Sequence, residues 1–98
     1  MSTVEHAVVG RKTPGDGKLE VSAALAHALG GHHASIDVRM TSNHQSGAVE
    51  IMECTCAKAG ASGKHEHHFV QCDGFRALPV GTELILRADA ATLEVAQA

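Results

Sequence analysis

AVEIMECTC (Ala48–Cys56), AKAGASGK (Ala57–Lys64) and HEHHFVQC (His65–Cys72) are the consecutive segments on which the reading of this chain turns. The first and third alternate in polarity and are rich in β-branched, aromatic and thiol side chains, as half-buried strands are. The middle one, with two glycines and several small residues, is a long hairpin connection. A one-residue slip would turn every side chain to the other face, so the side chains themselves constrain the register. Pairing Cys56 with His65 sets Cys54 opposite His67, Met52 opposite Phe69 and Glu50 opposite Gln71 on one face. On the other face Thr55 meets Glu66, Glu53 meets His68, Ile51 meets Val70 and Val49 meets Cys72. A slip by one would set Ile51 against Gln71 or Phe69, which is less coherent.

That hairpin collects all three cysteines of the chain and three of its eight histidines. Thiolate sulfur and imidazole nitrogen are the ligands of zinc and other borderline or soft metals. Strand neighbours two apart are separated by about 6.5–7 Å and opposed Cβ atoms by about 4.5–5.5 Å. Four side chains from those corners can reach a central ion at roughly 2.3 Å for sulfur and 2.0–2.1 Å for nitrogen. The expectation is therefore a closed zinc site made by Cys54, Cys56, His65 and His67, with Met52 and Phe69 shielding one end. The competing explanation is a surface histidine cluster beside inert thiols, since free cysteine is a common core residue. His68 and Cys72 are reserve ligands; the simpler roles are a partner of Glu53 for His68 and a core residue for Cys72.

Outward from the hairpin, Ser35 to Met40 alternates, with Ile36, Val38 and Met40 on one face. Val4 to Val9, Glu83 to Ala88 and Thr92 to Val95 are further short strand candidates. Ser22 is an N-cap for a short helix, Ala23 to Leu29, whose buried stripe is Val21, Leu25 and Leu29 and whose end is Gly30-Gly31. His27 points away from that stripe. RKTPGDGK (Arg11–Lys18) is a turn or loop; it lacks the Gly-Lys-Ser/Thr ending of a phosphate loop. Ser42 to Gly47 is a polar turn. The expected fold is mainly β with one short helix: a small antiparallel sheet or partly closed barrel of four to six strands, in a single domain over residues 1–98.

Composition narrows the function classes. The formal net charge is -3, the basic residues are scattered, and Phe69 and Phe75 are the only aromatics; this argues against nucleic acid as a partner. No apolar run spans a bilayer and no basic amphipathic helix docks on one. Three cysteines, two of them separated by one residue, make a poor disulfide framework and a better metal-ligand set in a reducing compartment, so a cytoplasmic location is expected. The apolar fraction, 44%, leans on alanine, so a metal cross-link would add materially to folding free energy.

Two fragments resemble known families. Cys54-x-Cys56 with Cys72-Asp73-Gly74 is similar to the CDGSH iron–sulfur family, whose [2Fe–2S] cluster has three Cys and one His ligands. The resemblance ends at Phe75-Arg76, where that family places its ligand histidine. His65-x-His67 with Pro79-x-Gly81 is similar to fragments of cupin motifs, but Gln71-Cys72 stand where a glutamate is expected. Neither supports a family assignment.

The expected function is a small non-enzymatic protein with structural zinc, an accessory or interaction subunit with a protein partner or a second copy of itself. The alternatives are a redox protein with a Cys2His2 [2Fe–2S] cluster, and a metal sensor or chaperone. No catalytic constellation competes. Asp16, Asp73 and Asp89 lie in turn-like contexts, His32-His33 is a solvated loop pair, and His6 and His44 are surface residues.

Overall fold

The computed structural model describes residues 3–41, 43–54 and 65–98, with the backbone alone at Glu53, Cys54 and His65. Seven strands form one mainly antiparallel, nearly closed barrel-like sheet: β1 (Thr3–Val8), β2 (Lys18–Val21), β3 (Ser35–Arg39), β4 (His44–Cys54), β5 (His65–Gln71), β6 (Glu83–Asp89) and β7 (Thr92–Gln97). Their order is β1-β6-β7-β3-β4-β5-β2. Two short helices, α1 (Thr13–Asp16) and α2 (Ala23–Ala28), and a 3₁₀ turn at Asp73–Ala77 complete the described elements. The mainly β, barrel-like class is the expected one; β2, α1 and the 3₁₀ turn are additional.

Each local element has an identifiable cause. Ser22 caps α2, its Oγ accepting from the Leu25 N–H at 3.1 Å. Gly31 N–H donates to Ala26 O and Gly30 N–H to His27 O, while both glycines sit at positive φ. This is the double hydrogen bond of a glycine-terminated helix end. RKTPGDGK is not only a loop: Pro14 starts the single turn of α1, and Gly17, at φ 67°, ends it by donating to Thr13 O. Lys18 then enters β2, four residues whose alternation buries Leu19 and Val21. So short an alternation is hidden between turn residues and a helix cap. β6 and β7 join through Ala90-Ala91, with Ala90 at φ 54°.

The core is built from Leu19, Leu25, Leu29, Val38, Val49, Val70, Leu84, Leu86 and Leu93, with Phe75 of the 3₁₀ turn fully enclosed among them. Each large side chain so buried contributes about 1.5–3 kcal/mol. Val4, His6 and Val8 share one face of β1, and it is the exposed one, with Val4 and Val8 more than half accessible. The edge strands β1 and β2 are linked through Ser22, which follows β2: its N–H and Oγ both donate to the Glu5 carboxylate.

β4 is longer than expected. It begins at His44, pairs with β3 up to Ala48 and with β5 from Ala48 onward. Gly47 lies at the changeover, and a Cβ there would sit 2.8 Å from both Gln71 O and Val38 Cγ2. The sheet can bend over itself only because that atom is missing. Gly47→Ala is expected to destabilise the protein by about 1–3 kcal/mol, the usual cost of overpacking. A urea titration that shows an unchanged midpoint would contradict this.

Candidate metal-binding hairpin and its outer face

β5 is paired along both edges, with β4 on one side and β2 on the other. Its alternation divides the three strands into two faces. His68, Val70, Val49, Leu19 and Val21 face the core, with Ile51 packed against it. Lys18, Glu20, His67, Phe69, Glu50 and Met52 face outward.

The hairpin register differs from the expected one by two residues. Cys54 lies opposite His65, Met52 opposite His67, Glu50 opposite Phe69 and Val49 opposite Val70. A shift of two preserves the face of every residue, so alternation alone cannot detect it. The observed register sets Val49 directly opposite Val70, both buried in the core. Past Gln71 the Cys72 N–H still donates to Gly17 O on the β2 side, while β4 turns from β5 to β3 at Ala48. Cys72 therefore leaves the ladder instead of meeting Val49, and Glu53 falls opposite Glu66 rather than His68.

Of the four predicted ligands, His67 is described with its side chain. Cys56, and the side chains of Cys54 and His65, lie outside the described residues. The backbone ladder does place positions 54, 65 and 67 on one face, with 54 and 65 directly opposed. Among the described residues no three His, Cys, Asp or Glu side chains form a metal-binding group.

His67 is about one-third exposed, and its Nδ1 is 2.8 Å from Glu20 Oε2. When the Nδ1–H donates to that carboxylate, the lone pair is on Nε2. Carboxylates commonly hold metal-ligating histidines in this way. Phe69 packs near the ring, centroid to centroid 6.2 Å. Beside it Lys18 Nζ pairs with Glu50 Oε2 at 3.1 Å. Glu20 could have been found from the sequence only by recognising KLEV as a strand, since it pairs with Phe69 and so is the diagonal neighbour of His67, two residues along on the same face.

The reserve ligands occupy the interior. His68 is buried on the core face; its Nε2 has no hydrogen-bond partner among the described residues, and Glu66 Oε1 lies 3.9 Å away. The ring of His27 meets it edge-on at 6.0 Å. Cys72 is a core residue, as expected, with its thiol donating to Gln45 Oε1 at 3.2 Å. The same Oε1 accepts the Gly74 N–H at 2.7 Å. His32 is not merely solvated: just before β3 begins, its Nδ1 accepts the Ile51 N–H at 3.0 Å.

Burial pushes the Cys72 thiol above its ordinary 9.0; the Gly74 N–H opposes the shift, and Asp73 adds to it. A thiol that ionises later in the folded than in the unfolded chain leaves stability intact below the unfolded value. Stability is lost as pH rises from there through the folded value. Unfolding free energy measured from pH 7 to 11 should fall more steeply above pH 9.0 for the wild type than for Cys72→Ala. Parallel curves would refute it.

No helix among the described residues is long and apolar enough to cross a membrane. No family model, curated protein or solved structure matches the chain.

Proposed function

We propose that this chain is a small, non-enzymatic, cytoplasmic metal-binding protein. One zinc ion is held at the β4–β5 hairpin by Cys54, Cys56, His65 and His67, and the domain serves as an accessory or interaction subunit. The observation that carries the reading is the Glu20 carboxylate on Nδ1 of His67. It orients the one ligand whose side chain is described, on the face that the register also assigns to positions 54 and 65. The two-residue shift alters the expected arrangement. Cys54 and His65 become the opposed pair, with His67 one step along β5 and Cys56 completing the set from beyond the described strand. Four protein ligands leave the ion no position for water or substrate, which suits a folding role rather than catalysis. The exposed β1 face, with Val4 and Val8, offers a surface for a protein partner or a second copy.

Elemental analysis of untagged protein is expected to find about one zinc per chain. Cys54→Ser and His67→Ala should each lower both metal content and melting temperature. Metal-free protein whose stability is indifferent to added zinc would defeat the proposal, and a coloured protein containing iron would replace it with the iron–sulfur alternative.

Glu20→Ala should weaken zinc binding by about 10–100-fold, the usual effect of removing a carboxylate behind a ligating histidine. Competition with a chromophoric chelator measures it. Because Glu20 is exposed, the melting temperature of the metal-stripped variant should match that of stripped wild type. Wild-type affinity in the variant would remove Glu20 from the site.

A further inference from the structure

The segment from Val8 to Thr13 overhangs the outer face of β2 and β5 and encloses with it an open groove of about 770 Å³. Val8, Met52 and Phe69 supply apolar surface, and Val8 and Met52 are 59% and 45% exposed. Arg11 and Lys12 stand in the same lining. Among the described residues neither makes an ion pair or a side-chain hydrogen bond. The other charges divide differently. Lys18 is met by Glu50, Glu20 is engaged by His67, and Asp16 pairs with neither cation. The groove therefore combines an apolar floor with two adjacent cations that no carboxylate of the described residues meets in an ion pair, although Asp16 and Glu20 share the lining. Its volume is that of a small-molecule site.

We propose that this groove binds a small amphipathic carboxylate. The apolar body lies against Val8, Met52 and Phe69, and the anionic head sits between Arg11 and Lys12. An arginine fork receives a carboxylate in two parallel hydrogen bonds, and the lysine adds a second point charge. The apolar contact supplies the free energy that an exposed ion pair alone does not. The groove adjoins the proposed zinc site, since His67 and Glu20 stand in its lining, but neither cation belongs to the predicted ligand set, so the two proposals are tested by different variants.

Isothermal titration of the protein as purified tests it, with decanoate as the probe below its aggregation concentration. Decyltrimethylammonium has the same body with the opposite charge, and acetate has the head without the body. Decanoate should bind, and the other two should not. Reversing both charges, Arg11→Glu with Lys12→Glu, should weaken decanoate binding about tenfold or more. Melting temperature and metal content should stay as in wild type, because both side chains are exposed. Val8→Asp, an exposed position on β1, should weaken it as well. Absence of decanoate binding, equal binding of the two decyl probes, or undiminished binding by the double variant would each overturn the proposal. Metal content is read separately, so loss of the zinc site would not be mistaken for loss of this one.

Discussion

β5 is hydrogen-bonded along both edges, and Val70, next to its C-terminal end, faces Val49 on one side and Leu19 on the other. All three valine and leucine side chains are excluded from water. That three-strand contact holds β4 and β2 to one surface and fixes which residues of β4 can meet which residues of β5. The proposed zinc ligands and the carboxylate behind His67 share that surface, which also forms the floor of the groove. Without β2 there would be no Glu20 beside His67 and no anchor for the loop that carries Arg11 and Lys12.

Much of the fold was legible because its signals are local. Ile36 and Val38 alternate with polar neighbours and are buried as that alternation requires. Ser22, Leu25 and Gly30-Gly31 mark α2 almost to the residue. The division of the β4–β5 hairpin into two faces was legible for the same reason: a period of two is a property of each strand by itself. The hairpin register was not, because a shift by two keeps every face and changes only the partners. It goes with tertiary packing, namely the apposition of buried Val49 and Val70 and the changeover of β4 from β5 to β3 at Ala48. β2 itself was hidden for want of length. Its two buried residues, Leu19 and Val21, lie between a glycine turn and a helix cap.

The candidate site divides along the same line. The residue types and their common face could be read from sequence; the neighbour that orients His67 could not, because Glu20 comes from a strand 47 residues away in the chain. His68 shows the converse. The spacing pairs it with Glu53, yet the register gives it Ile51 as its opposite, and its buried Nε2, with no hydrogen-bond partner among the described residues, has Glu66 Oε1 3.9 Å away instead.

The pairing of β3 with β7 has a consequence for the order of assembly. It is parallel, joining Asp37–Arg39 to Thr92–Glu94, while the other ladders of the sheet are antiparallel. No tight turn can make such a contact; the intervening chain must first be brought round and its loop entropy lost. The hairpins β3–β4 and β6–β7 can form early from near neighbours in sequence, but the sheet closes only when these two halves dock. Folding of this small domain should thus be slow for its length, limited by a chain-closure event rather than by any local element.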